Sequence, residues 1–300
     1  MHFKEKFDCI QVHTMPDFLV FSTLIPKMLG AKIVLDLHEP MEELWVTKNG
    51  DKFPWIRKLI EGIEIKCIQY SDRTLTVTSA MKKRLIGKGI ADSHVVVIPN
   101  VADSVFLKFE KTDYSSKKTF SIVTHGSIEE RYGHDLVIQA INDLKYSHPQ
   151  IRYNIIGKGE YQHHLEKMVN EYGLNEVVKF NGFLVFEKMI EMIIDSDVGI
   201  IAMKKNPYSV LIDTNKMYEY ITMKVPIILS RLPAVEEVFN DSSVTYFHPG
   251  DCADLKKVLV DAIGNHSVLG KKAQLAFEQN RPMCWDIVKK TYLGVYDAFQ

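Results

Sequence analysis

The 300-residue sequence predicts an α/β protein of two lobes, each built on a parallel β-sheet. Three observations carry that expectation. Short apolar runs alternate with helix-forming stretches along the whole chain. The clearest of them, 32–37, runs without polar alternation, as a strand covered on both faces does. A polar stretch at 108–118 then divides the series in two, with the composition of an interdomain linker. At 46% hydrophobic and 25% charged the chain has an ordinary globular composition, and its length suits two domains better than one.

The first lobe, taken as residues 1–110, holds strands at 8–12, 32–37, 74–78 and 95–98. An apolar helix is expected at 18–29, and a second from Ser79 to Lys88, stopped by Gly89. The second lobe, 111–282, has strands at 120–124, 151–156, 177–180, 198–202, 226–229 and 244–247. Helical patterns lie between and after them at 136–144, 161–172, 187–194, 215–222, 234–239 and 253–263. Strands alternating with helices in this way form a doubly wound parallel sheet. Such sheets bind ligands outside the carboxyl ends of their strands, at the switch point. Residues 283–300, with Trp285 and a Tyr-rich run, read as a terminal helix that returns to the first lobe.

Composition excludes several classes. A net charge of −1 lacks the dense basic surface that nucleic-acid binding uses. Cys9, Cys67, Cys252 and Cys284 are too far apart for metal-ligand spacing, and reduced cytoplasmic thiols are the default reading. No apolar run reaches the ~18 to 20 residues of a membrane span. The charged start has no signal-peptide core. Peripheral membrane contact stays open, because Lys48, Lys52, Arg57, Lys58 and Lys66 accompany Trp45, Phe53 and Trp55. The plain alternative is a solvated helix face.

The richest segment is Asp213-Thr-Asn-Lys-Met-Tyr-Glu-Tyr-Ile-Thr-Met-Lys-Val-Pro-Ile-Ile-Leu. Asp213 or Thr214 can cap a helix whose first turn, Asn215 and Lys216 included, exposes free N–H groups. Such an end seats a diphosphate. Glu219 follows on a helix otherwise lined with Met217, Tyr218, Ile221 and Met223. A carboxylate there is either solvent-facing or aimed at a ribose. In the second case it accepts two charge-assisted bonds worth roughly 1.5 to 3 kcal/mol each.

The second segment, His125-Gly-Ser-Ile-Glu-Glu-Arg-Tyr-Gly-His-Asp-Leu, follows the first strand of the second lobe. Gly126 and Gly133 bracket a loop able to approach a ligand closely, with Ser127 inside it. Arg131 supplies a fixed charge. At ~4 Å and an effective dielectric near 20, such a charge is worth about 4 kcal/mol on a phosphate before desolvation. That exceeds the ~0.3 to 2 kcal/mol of a helix terminus. The alternative is a surface Glu–Arg pair worth little. Gly157 in Ile-Ile-Gly-Lys-Gly and the turn Phe180-Asn-Gly-Phe-Leu are weaker signals alone. In the first lobe Val-Leu-Asp-Leu-His ends a strand on His38, with His13 and Asp17 after the preceding strand. A histidine in such a place is often only a core or capping group.

Together these segments resemble family 4 glycosyltransferases of the GT-B fold, in which two Rossmann-like lobes hold a nucleotide-sugar. Lys216 and Glu219-Tyr220 match the family's helix, and Gly126, Arg131 and Gly133 its Gly-rich loop. The resemblance implies that Glu219 binds the ribose hydroxyls and that the backbone at Thr214 to Lys216 receives the diphosphate. It implies that Phe183 and Leu184 read the base, and that His38 contacts the donor sugar from the first lobe. His13 and Asp17 fall on the acceptor side. Ser127 and Tyr132 stand where an Arg and a Lys are more common. Leu211 stands where many members carry a second Glu, which leaves the sugar open, though Asp213 is a substitute. The family usually begins with further βα units, so the first lobe is expected to be truncated by roughly two to three of them at ~30 residues each. Self-association or a partner chain is expected to follow from that truncation.

The implied activity is a retaining, metal-independent transfer of sugar to a lipid-linked or saccharide acceptor in cell-surface polysaccharide or glycolipid synthesis, with no cofactor. The resemblance implies metal independence, and the reading of no Asp-x-Asp diphosphate–metal motif agrees with it. His38, Arg131 and Lys216 are the catalytic candidates, the two cations stabilising the leaving diphosphate. The competing readings are a nucleotide-sugar-binding module inactive alone and a sugar-nucleotide epimerase. A NAD dehydrogenase fits poorly, since no Gly-x-Gly-x-x-Gly turn with a later acid is present.

Overall fold

A computed structural model describes residues 6–50, 52–281 and 284–299. The chain divides into two compact units: residues 1–100, 206–213 and 286–300 in the first, and 101–205 and 214–285 in the second.

The first unit carries a four-stranded parallel sheet in the order β1 (Cys9–His13), β2 (Lys32–Leu37), β3 (Arg73–Thr76), β4 (Val95–Val97). Ile33, Val34, Leu35 and Leu37 of β2 are fully buried, as the continuous apolar run requires. The continuous helix expected at 18–29 is replaced by a 3₁₀ stretch, Asp17–Thr23, and a short helix α1 (Leu24–Met28). Pro26 is the cause: in an unbroken helix its ring would meet the carbonyl of Ser22, and it has no N–H to give. Phe18, Phe21, Leu24, Ile25, Met28 and Leu29 of this stretch are exposed.

After β2 come α2 (Met41–Asn49) and α3 (Pro54–Tyr70). The next helix, α4 (Ser79–Gly87), is capped by Thr78 and not by Ser79, the Thr78 hydroxyl accepting from the Met81 amide at 3.1 Å. A terminal helix, Trp285–Asp297, sets Val295 against Val34 and Leu75 of the sheet. Residues 206–213, expected from the sequence in the second lobe, belong to this unit. Hydrogen bonds explain it: Thr78 donates to the Leu211 carbonyl, Asn100 Nδ2 donates to Asp213 at 2.7 Å, and Thr47 donates to Asn206 at 3.2 Å.

The second unit runs β5 (Phe120–His125), α5 (His134–Leu144), β6 (Ile151–Ile156), α6 (Gln162–Glu171), β7 (Val178–Gly182), α7 (Phe186–Asp195), β8 (Val198–Ile201), α8 (Asn215–Thr222), β9 (Ile227–Ser230), α9 (Pro233–Glu236), β10 (Thr245–Phe247), α10 (Cys252–Gly264) and α11 (His266–Asn280). Its six strands are parallel in the order β10-β9-β8-β5-β6-β7. The order reverses between β5 and β8, so the switch point lies at their carboxyl ends. Ile122, Ile155, Val198, Ile200 and Ile228 form the apolar centre with Val137, Ile141 and Leu165 from the helices. Helix α8 buries Met217, Tyr218, Tyr220 and Ile221, then ends where Lys224 takes a left-handed φ of 56° ahead of Pro226.

Candidate functional site

The carboxyl ends of β5 and β6 and the start of α8 gather most of the second unit's candidates. The β5 loop begins at Gly126, whose amide donates to the Ile156 carbonyl at 2.9 Å, and Gly157 in turn donates to the Gly182 carbonyl at 2.8 Å. The ends of β5, β6 and β7 are thus stitched backbone to backbone. Gly133 closes the loop in the left-handed region, φ 66°, where a Cβ would lie 1.9 Å from the Ala202 carbonyl oxygen. Only glycine fits there. Gly126 and Ser127 are exposed, Phe183 stands out at 79% exposure at the end of β7, and Leu184 beside it is half-buried.

Thr214, not Asp213, is the N-cap of α8, and its side chain makes no capping bond. Asp213 is buried and accepts from Asn100. In the first turn Lys216 is buried, its Nζ 4.2 Å from the centre of the Tyr132 ring. Burial pushes its pKa down to about 8, Arg131 adds to the fall, and Glu219 and Glu129 oppose it. A lysine held in this way gains from an anion more than a solvated one does, because its charge is already short of compensation. Arg131 donates to Glu129 at 3.1 Å and packs over Tyr132. The Glu–Arg pair is present, then, within a half-buried group that also acts on Lys216.

Glu219 is not a solvent-facing acid. Its Oε2 accepts from His125 Nε2 at 2.6 Å, and His125 Nδ1 lies 2.8 Å from the Tyr220 hydroxyl. That hydroxyl belongs to a fully buried side chain. The imidazole thus lies between a phenol at Nδ1 and the Glu219 carboxylate at Nε2. The Tyr220 ring reaches this position over Gly199 of β8, where a Cβ would come within 2.6 Å of it. Along the sequence His125 stands out only as the start of a loop. A titratable side chain at the end of β5 was the available signal.

In the first unit His13, at the end of β1, and His38, just after β2, are joined by one carboxylate. Asp36 Oδ2 is 3.1 Å from His13 Nδ1, and Oδ1 is 3.0 Å from His38 Nε2. The two rings are stacked with 2° between their planes. The three donor atoms have the spacing of a cation site. Asp36 bridges the two imidazoles with one carboxylate oxygen to each. The bond to Asp36, reinforced by Glu39, raises the His38 pKa above its ordinary value. Asp17 is elsewhere in the unit. It is buried beside Glu64 and Arg84, and burial pushes its carboxyl up to about 7, Glu64 adding to the rise.

An Asp-x-Asp spacing does occur, as Asp195-Ser196-Asp197. It precedes β8, at the amino end of the sheet, and Asp197 accepts from the Ser121 amide at 2.7 Å. It is therefore a structural tie at the end opposite the loops described above.

Residues 108–276 match the family described as Glycosyl transferases group 1, and residues 2–105 match Glycosyltransferase Family 4. A phosphatidylinositol N-acetylglucosaminyltransferase subunit of Arabidopsis thaliana is 21% identical over 238 residues, 77% of this chain and 51% of that protein. The putative colanic acid biosynthesis glycosyl transferase WcaI of Escherichia coli is 29% identical over 171 residues, 52% of this chain and 41% of that protein. The chain thus spans about half the length of these relatives. Among solved structures, HepE of Anabaena in complex with UDP has a TM-score of 0.79 at 13% identity, covering 97% of this chain and 79% of that one. Sucrose-phosphate synthase of Thermosynechococcus elongatus has a TM-score of 0.78 at 15% identity, covering 99% and 75%. These likenesses show the fold, which is GT-B.

Proposed function

The chain belongs to the group 1 glycosyl transferases, and from that premise we propose that it moves a sugar from a nucleotide-diphosphate-sugar to a saccharide or lipid-linked acceptor of cell-surface synthesis. One observation carries this reading: the β5 loop and α8 set a buried cation, a free helix terminus and a braced carboxylate side by side. Those are the parts a nucleoside diphosphate uses. The first-turn amides of α8, Lys216 and Arg131 take the two phosphates. Glu219, with one oxygen held by His125, offers its other oxygen to the ribose. Phe183 and Leu184 meet the base.

As bonds to the leaving diphosphate lengthen, negative charge grows where Lys216 and Arg131 stand, and this stabilises departure without a metal. Retention of configuration and His38 as the group serving the transferred sugar complete the proposal. HepE was solved with UDP, which makes uridine nucleotides the first donors to test. The experiment is a thermal-shift screen of uridine, guanosine and adenosine diphosphate-sugars, with and without a chelator. A ligand at 100 times its Kd adds about 2.7 kcal/mol of stability. No shift with any of them would end the donor reading, and a shift lost with the chelator would end its metal-free form.

A further inference from the structure

The terminal helix of the first unit ends in a hydrogen-bonded chain that leads to a candidate catalytic group. The helix presents Tyr292, Val295 and Tyr296 along one face, and Phe299 in the turn after it packs against the same cluster. Val295 fixes the depth against Val34 and Leu75. The two phenols then converge on one atom. Tyr292 donates to Gln11 Oε1 at 2.5 Å and Tyr296 donates to the same oxygen.

Asp36 can only accept, so the Gln11 amide turns its NH₂ to the carboxylate, donating to Oδ2 at 2.6 Å, and leaves Oε1 to be held by the two phenols. Asp36, a carboxylate within the buried β2, thereby has its orientation set, with Oδ1 directed at His38 Nε2. We propose that Tyr292 and Tyr296 act through Gln11 and Asp36 as positioning residues for the His38 imidazole.

Without the two hydroxyls Oε1 loses both its donors, and the amide is held only at its Asp36 end, so it no longer braces the carboxylate. The carboxylate then shifts away from His38. The charged and titratable groups facing His38 are Asp36, Glu39 and the stacked His13. The part played in sugar transfer rests on the donor reading above; the positioning does not.

The test uses the full chain with Tyr292→Phe and Tyr296→Phe combined, which keeps the apolar packing, and with Gln11→Leu, which cuts the same chain from its other side. The first readout is the NMR titration of His38 in histidine-labelled protein without substrate. Its midpoint is expected to fall by about half a pH unit in the Phe pair. Adding the Phe pair to Gln11→Leu should give no further fall, because the two changes break one connection. An unmoved midpoint, or falls that add, would overturn the positioning.

The second readout is turnover. The Phe pair should lower kcat about tenfold with the donor KM within about twofold. A shifted midpoint with unchanged kcat would overturn His38's part in the reaction. A wild-type chain that transfers no sugar would overturn the transferase reading by itself, while the titration still decides the positioning.

Discussion

In each unit an acid and an imidazole meet at the carboxyl end of a strand, β2 in the first and β5 in the second, and these two groupings are built in opposite order. In the first unit the acid is inside: the Asp36 side chain is 10% exposed, and the imidazoles of His13 and His38 are the outer groups at 62% and 45%. In the second unit the imidazole is inside: His125 is 10% exposed and backed by Tyr220, and Glu219 is the outer group at 19%. The inner member orients and the outer member is presented. An outer imidazole can carry a proton or meet a sugar hydroxyl; an outer carboxylate can only accept, as a ribose requires. The same two residue types thus serve different ends because burial is exchanged between them.

The sharpest way to break this comparison is Glu219→Ala. If the carboxylate is what the second unit presents, its loss removes two charge-assisted bonds and weakens nucleoside diphosphate binding by on the order of a hundredfold. Calorimetry checks it. An unchanged affinity would leave Glu219 as a mere partner of His125. Next in size is Lys216→Met, which should weaken diphosphates by about tenfold to thirtyfold and leave nucleosides almost untouched. It also has a proton signature. With a pKa of about 8, Lys216 is half neutral at pH 8, and an arriving diphosphate draws it back to the charged form. Binding then takes up about half a proton at pH 8 and almost none near pH 6. Titrations in buffers of different ionisation enthalpy measure that uptake, and it should vanish in Lys216→Met.

His125→Phe sharpens the claim that the inner member only orients. Phenylalanine keeps the ring against Tyr220 but offers Glu219 no proton. The expected loss in nucleotide affinity is about fivefold, the worth of one modest hydrogen bond. A loss as large as that of Glu219→Ala would mean that His125 itself meets the ligand.

Much of the fold and the site is legible in the sequence, and the parts that are not have physical reasons. Strands β2 and β6 and helix α8 can be read to the residue, because buried strands and capped helices leave continuous apolar runs and clear ends. The stretch at 17–28 misleads because its composition is helical while Pro26 forbids one unbroken helix. The order of each acid–imidazole pair is invisible. Nothing in Val-Leu-Asp-Leu-His says how the acid is held, since that involves Gln11 from β1 and two tyrosines that lie 281 and 285 residues beyond Gln11. The brace behind Glu219 likewise depends on Gly199, whose missing side chain admits the Tyr220 ring. Spacing reports neighbours along the chain, and these partners are neighbours only in the fold.

The smallest effect expected concerns the first unit's pair and its dependence on pH. His38 has a folded pKa above its ordinary 6.5, chiefly through its bond to Asp36. The charged imidazole therefore favours the folded state. Its contribution is fully present below pH 6.5 and is lost as the pH rises through the raised folded value. Because the ring is nearly half exposed, solvent screens the pair and the contribution stays below about 1 kcal/mol. The measurement is the urea midpoint of wild type against His38→Gln at pH 5.5 and at pH 8. The wild type should lead at pH 5.5, and the gap should be narrower at pH 8, since the contribution falls away as the pH rises through the raised value. A gap of the same size at both values would mean that the His38 proton is indifferent to Asp36. The outer imidazole would then be no more than a neutral neighbour of the acid, and the two pairs would differ in burial without differing in what they present.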